Sequence, residues 1–387
     1  MNTARHRAAP DWDPRAPSVQ RDQIAAYDGM RIRCPVAHSD YLHWSIFRHA
    51  DVLRVIGDHE TFSNRVSQHL SVPNGMDPPQ HAAFRAIVER HFDATAMATF
   101  EPACRRIAHK LAAALPVPGE VELMRDFAHP FALEVQCAFM GWPGWMRDAL
   151  ADWMRENQRA THSGDRAAMR SVAERFDATL RRLFDERRAA GAAAPDDATT
   201  RLLRERVDGR ALTDEEIVSI VRNWTAGELG TIAAAIGIVA RRLAVEPTLQ
   251  TTLRADRSLL APAIDEVLRI DPPLIANRRV TTCPVRLGER DIAAGERISV
   301  MWAGANRDEA VFDEPDRVRL DRDPADNLLY GAGIHVCPGA PLARLELHAA
   351  IEALLERCAV LAPLADRPPH RAGYPAGGWD KVPLQLG

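Results

Sequence analysis

The segment Leu329-Tyr-Gly-Ala-Gly-Ile-His-Val-Cys-Pro-Gly-Ala-Pro-Leu-Ala-Arg344 constrains this chain more than any other stretch. Gly331, Gly333 and Gly339 accept positive φ and let backbone lie close against a flat object. Cys337 stands directly ahead of an expected helix, with Pro338 at the first helical position, which proline favours. The partial positive charge of a helix N-terminus lowers a thiol pKa, so Cys337 is placed to persist as a thiolate. His335, two residues earlier, is placed to donate to an anionic group. A lone cysteine in a glycine loop is more often an inert buried thiol. Glycines, helix start and histidine together argue instead for a ligand.

The other five cysteines, Cys34, Cys104, Cys137, Cys283 and Cys358, are scattered without a CxxC pair. That speaks against a disulfide framework or a zinc ribbon and suits a reducing cytoplasm, the expected location. A chain of 387 residues, 46% of them hydrophobic, can bury one large core or two modest ones. A formal net charge of −4 gives no bulk pull toward nucleic acid or an anionic membrane. No apolar run approaches the roughly 20 residues that span a bilayer. Residues 1–17 lack the apolar core of a signal peptide and read as a loose, flexible tail.

Most of the first 270 residues read as helix, with AAGAAAPDD at 189–197 expected as a mobile loop between two helices. The clearest helix opens at Thr213 and Glu216, which have capping-box spacing, and runs through Ile217, Ile220, Val221 and Trp224 to about Leu243. Another, near 261–270, must stop at Asp271-Pro272-Pro273, because a residue before proline is pushed out of helical geometry. Val285, Leu287, Ile292, Ile298 and Val300 alternate in short strands parted by Gly288 and Gly295. A helix from Pro338 to about Cys358 and a terminal strand at 382–386 complete a mainly α chain with small β-sheets.

The cysteine segment closely resembles the haem-binding loop of the cytochrome P450 family, Phe-Gly-x-Gly-x-His-x-Cys-x-Gly, with Tyr330 in the usual Phe place. The resemblance extends from about residue 30 onward. It implies a single P450 haem domain over residues 1–387 whose long central helix crosses the distal haem face. It also implies haem b (iron protoporphyrin IX) held by Cys337 as proximal thiolate, the ligand that favours O–O cleavage. Tyr330, Gly331, His335 and Gly339 would line the cofactor. Three further places carry the likeness. Glu266-Val-Leu-Arg269 matches the family's ExxR pair, and Arg317 in Pro315-Asp316-Arg317 sits where the third member of a buried structural triad is expected. His81 and Arg85, four apart, would face the haem propionates, with Arg279 a third contact. Taken singly, each could be an ordinary surface residue.

Trp224-Thr-Ala-Gly-Glu-Leu-Gly-Thr-Ile232 departs from the family. Ala226-Gly227 match the small pair that leaves room for dioxygen, but Leu229 and Gly230 stand where most members carry an acid and a threonine that relay protons. At about 100° per residue, Ala226, Leu229 and Gly230 share a face, while Glu228 and Thr231 point away. Only a one-residue bulge would bring Thr231 into the Gly230 place. Protons would then come from water, from substrate, or with peroxide as the oxidant. Arg222, one turn earlier, is a candidate for a substrate carboxylate or an arginine snorkelling to a polar edge. By resemblance, Val72, Asn74, Ile275, Asn277 and the stretch from Tyr374 to Trp379 border the substrate pocket, and helices around 145–190 form a lid.

The leading expectation is a monooxygenase that hydroxylates or dealkylates a small organic substrate, acting as a monomer. No dinucleotide or flavin fingerprint occurs, so electrons are expected from a ferredoxin and its ferredoxin reductase, attracted by Arg85, Arg90 and Arg344. Alternatives are a peroxide-using oxidation, a non-catalytic haem-binding protein, and a cysteine hydrolase. The last leaves the arginine motifs unexplained.

Overall fold

The computed structural model describes residues 10–387, apart from the side chains at 158, 161 and 162. The chain forms two compact units. The first comprises the described part of Met1–Val66 with Pro262–Cys337 and His370–Trp379; the second comprises Ser67–Ala261, Pro338–Pro369 and Asp380–Gly387. Seven helices matter for function: α1 (Gln80–Glu89), α2 (Ala94–Ala113), α3 (His129–Met140), α4 (Arg166–Ala190), α5 (Asp214–Val245), α6 (Leu260–Ile270) and α7 (Ala340–Arg357). The principal strands are β1 (Val36–Ser39), β2 (His43–Ile46), β3 (Phe62–Ser63), β4 (Gly119–Glu122), β5 (Ala276–Thr281), β6 (Arg297–Met301), β7 (Leu361–Pro363) and β8 (Pro383–Leu386).

In the first unit a five-stranded sheet runs in the order β1-β2-β6-β5-β3, with only β2 and β6 parallel. Alternation sends Ile298 and Val300 into one core with Val36, Ile46, Phe62 and Trp302. Val285–Leu287 and Arg290–Ile292 form the expected hairpin, and Gly288 sits at φ 52° in its turn. The loose-tail expectation fails over residues 10–17. Trp12 is buried edge-on against Phe47, with ring centroids 5.3 Å apart, and the Asp11 N–H donates to the His38 carbonyl. An indole of that size gains too much from burial to stay in solvent. Residues 1–9 lie outside the described part.

The second unit is built around α5. Its capping box is complete: Thr213 Oγ1 accepts from the Glu216 N–H at 3.2 Å, and a Glu216 carboxylate oxygen accepts from the Thr213 N–H at 2.8 Å. Its 32 residues span about 48 Å at about 1.5 Å per residue. Gly237 lets Met124 pack close against α5, since a Cβ there would meet Met124 Sδ at 2.5 Å and the methionine side chain would have to shift. A three-stranded sheet, β7-β8-β4, flanks the helices. α7 starts at Ala340 with Gly339 as its N-cap, so Pro341 rather than Pro338 occupies the first turn, and Cys337 lies two residues ahead of the cap. Among the described residues, no helix is long and apolar enough to cross a membrane.

Candidate functional site

Cys337 ends the first unit on a tightly closed loop. Its N–H donates to the Tyr330 carbonyl at 2.8 Å, and the Gly331 N–H donates to the Leu328 carbonyl at 2.9 Å. Gly331 and Gly333 hold φ of 71° and 70°, the left-handed region where a side chain is strained. At Gly333 a Cβ would also press to 3.1 Å on the Ile56 carbonyl. Tyr330, Gly331 and His335 share this loop, and His335 closes the one-turn helix Gly333–His335. Cys337 and Cys283 are exposed, whereas Cys104, Cys137 and Cys358 are buried. An exposed thiol on a glycine cradle suits a flat, thiolate-held cofactor. Arg279 reaches the unit's interior from β5, and its Nη1 donates to the Arg278 carbonyl.

The loop is held from behind by buried ions. Arg269 is fully buried and makes a two-pronged pair with Glu266 at 2.8 and 2.9 Å. Its Nη1 donates to the Asn306 carbonyl at 2.6 Å, and Asn306 Oδ1 accepts from the Leu328 N–H at 2.8 Å, at the start of the cysteine loop. The third member is not Arg317, which is 69% exposed and pairs with Glu314. Arg322 takes that place, its Nε 2.9 Å from Glu266 Oε1 and its Nη2 on the Asp313 carbonyl. Residues 313–327 lack regular periodicity, so the sequence offered no way to tell which of its arginines turns inward. Asn306 was missed for the same reason, as a lone amide with no spacing signal.

In the second unit His81 and Arg85 lie buried on α1, and Arg85 Nε is 2.7 Å from Glu89 Oε1. A buried Arg85 is no surface contact for an acidic partner. Arg90 pairs with Glu205 at 2.5 Å, and Arg344 is exposed.

On α5 the open strip differs from the expected one. Ala226, Gly227 and Gly230 are exposed, Asn223 and Thr231 are half-exposed, and Leu229 is buried. Taking Ala226 as zero and about 100° per residue, the strip covers roughly 0° to 140°. It is therefore centred near Asn223 and Gly227. Thr231 joins it without any bulge, because α5 is regular throughout, and Leu229 drops out. The Thr231 hydroxyl donates to the Gly227 carbonyl at 2.6 Å. Glu228, at about 200°, turns toward α3 and α7.

Arg222 is not a free cation awaiting a substrate carboxylate. Its Nη1 lies 3.0 Å from both carboxylate oxygens of Asp177 on α4, and its Nη2 donates to the Leu70 carbonyl at 3.2 Å. Ser219 Oγ accepts from the Val72 N–H at 2.8 Å, and Asn223 Nδ2 donates to the Val72 carbonyl at 3.0 Å. The candidate pocket residue Val72 is thus buried and pinned to α5, while Asn74 is exposed. In the first unit Ile275 belongs to a core with Tyr27, Met30 and Phe47 rather than to a pocket wall. Asn277 is exposed on β5, and Trp379 lies under the Arg371 guanidinium, 4.1 Å from its ring centre.

The family model described as Cytochrome P450 matches residues 158–374. The cyclomarin C epoxidase of Salinispora arenicola is 32% identical over 81% of this chain and 83% of its own length. The vitamin D(3) 25-hydroxylase of Pseudonocardia autotrophica is 30% identical over 94% and 93%. Among solved structures, CYP109E1 from Bacillus megaterium in complex with corticosterone aligns with a TM-score of 0.85 at 26% identity, covering 95% of this chain and 99% of that one.

Proposed function

Since the chain belongs to the cytochrome P450 family and is a P450 monooxygenase, we propose that it binds haem b through Cys337 and inserts one oxygen atom into a bulky, largely apolar substrate. The observation that carries this reading is the closed loop that presents an exposed Cys337 thiol on left-handed glycines. Haem supplies the oxygen-activating chemistry when bound. Cys337 would ligate its iron, with His335, Arg279, His81 and Arg85 as propionate donors. The Glu266, Arg269 and Arg322 cluster keeps the loop in register through Asn306. Ala226, Gly227 and Gly230 would leave room for dioxygen along α5.

The substrate class follows from relatives that act on vitamin D(3) and cyclomarin C and from one that binds corticosterone. Electrons would arrive from a ferredoxin and its reductase, with exposed Arg344 one contact for the acidic partner. We read the whole chain as one haem domain, monomeric and cytoplasmic. A second reading, oxidation driven by peroxide, is favoured by Leu229-Gly230 in place of the acid and threonine.

The test is the spectrum of the reduced protein with carbon monoxide. Wild type should give the long-wavelength Soret band of thiolate-bound haem, and Cys337→Ser should lose it. Absence of any haem band in a haem-replete preparation of the wild type would overturn the reading. Turnover with a ferredoxin system against turnover with peroxide alone then separates the two oxidants.

A further inference from the structure

The end of α4 and the short helix Ala198–Arg204 border a cavity of about 190 Å³ in the second unit. None of the residues assigned above to cofactor, oxygen or substrate lines it. Its polar wall is Arg187, Arg188, Arg204 and Thr200, and Leu203 and Ala194 supply an apolar side. Among the described residues no carboxylate lines the cavity. Two of its cations are held by acids outside that lining. Arg187 Nη2 lies 2.8 Å from Asp197 Oδ2 and also donates to the Gly141 carbonyl. Arg188 pairs with Asp214 in the first turn of α5 and lies 3.6 Å from Asp185.

Three groups on the wall are left over. Thr200 is 3% exposed, and its hydroxyl has no hydrogen-bond partner. Its N–H already donates to Asp197 Oδ1 at 2.8 Å, so only the hydroxyl is open. Arg187 Nε is likewise buried without a partner. The Arg204 guanidinium is exposed and makes no ion pair or hydrogen bond among the described residues. Buried polar groups are costly unless paired, so a hydroxyl and a guanidinium N–H left open on one cavity call for an acceptor. Beside an unpaired guanidinium that acceptor is favoured as an anion. A phosphate group offers three strong acceptor oxygens, one for each open group, whereas a carboxylate offers two. The volume falls below the roughly 300 Å³ of pockets that take drug-sized ligands, so any carbon body attached to the phosphate is small. Leu203 and Ala194 give such a body an apolar wall.

We propose that this cavity binds a small phosphomonoester. Its phosphate oxygens accept from the Thr200 hydroxyl, Arg187 Nε and the Arg204 guanidinium, and its carbon body lies against Leu203 and Ala194. The Asp197 and Asp214 pairs stay in place and hold Arg187 and Arg188 for the ligand. The bound group bridges α4 and the helix Ala198–Arg204, so it stabilises the folded chain by mass action.

The test is calorimetric titration of the full-length protein with phenyl phosphate, inorganic phosphate and benzoate, on wild type, Arg204→Ala and Thr200→Val. Arg204 is exposed and Thr200→Val removes only an unpartnered hydroxyl, so both variants should melt as wild type does without ligand. Wild type should bind one phenyl phosphate per chain, about fourfold or more tighter than inorganic phosphate, the gain from burying as little as one methylene. It should bind benzoate about tenfold or more weakly than phenyl phosphate. Each variant should lose about tenfold or more in phenyl phosphate affinity, the scale of a hydrogen bond to a charged group. Affinity should fall as pH drops through the second phosphate ionisation near about 6. Phenyl phosphate should raise the melting midpoint of wild type and not that of either variant. The haem Soret band should stay unshifted, because the cavity is not the substrate pocket. Absence of saturable phenyl phosphate binding, benzoate binding as tight, variants that bind like wild type, or a Soret shift on binding would each overturn the proposal. Inorganic phosphate binding as tightly as the ester overturns the assignment to an ester.

Discussion

Arg269 has no exposed surface, and its guanidinium is satisfied by Glu266, Asn306 and Pro315, with the Phe312 ring 4.8 Å away. A cation in that position tolerates no missing partner, because an uncompensated buried charge costs several kcal/mol. The arginines around it form a graded series. Arg269→Ala should cost about 3–5 kcal/mol of unfolding free energy, since buried Glu266 loses its two-pronged partner and keeps only the single contact of Arg322. Arg322→Ala should cost about 1–2 kcal/mol, because Glu266 keeps its two-pronged partner. Arg317→Ala should stay within about 0.5 kcal/mol, as an exposed surface pair does. Urea unfolding of the three variants checks the order. A cost for Arg317 equal to that for Arg322 would restore the arginine that the family spacing pointed to.

At the scale of elements, α5 does more than cross its unit. Through Ser219, Arg222 and Asn223 it pins residues 70–72, and through Arg222 it is tied to Asp177 on α4. That pair is about a quarter exposed on each side, so solvent screens it only in part. Arg222→Met and Asp177→Asn should each destabilise, and their double-mutant cycle should return a coupling of about 1 kcal/mol. Ligand titrations on Arg222→Ala should find carboxylate ligands losing no more affinity than neutral ones. A selective loss for carboxylates would mean that the arginine leaves Asp177 for the ligand. The ends of α5 were legible because capping boxes and hydrophobic periodicity are local signals. Which strip stays open was not legible. It depends on what α3 and α7 bury, and rotating the assumed face by about 60° exchanges Leu229 for Thr231.

Over the whole molecule, the local signals were readable: the cysteine loop, the Pro-Pro helix stop, the alternating strands and the capping box. Readouts that depend on residues far apart in sequence were not. Glu346 follows Glu228 by more than a hundred residues, and no spacing rule joins them. Burial of the two carboxyls nonetheless leaves a trace in global stability. The folded protein keeps Glu228 protonated up to about 8, whereas an unfolded glutamate releases its proton near its ordinary value of 4.5. Between those limits the folded state binds more protons than the unfolded one, so stability falls as pH rises through that window. His91 acts in the opposite sense. Burial, then Arg201 and Arg90, hold it down to about 4 against an ordinary 6.5, and burial lowers His129 as well. Between about 4 and 6.5 the unfolded state binds more protons, so these histidines withdraw stability as pH falls. Thermal midpoints followed from about pH 5 to about pH 9 should therefore pass through a maximum and decline on the alkaline side. Glu346→Gln should make stability fall less steeply with pH throughout the window above about 4.5, since one of the two carboxyls that burial keeps protonated is gone while Glu228 remains raised by its own burial. Parallel curves for wild type and variant would mean that the two carboxyls ionise in the folded protein as they do in water.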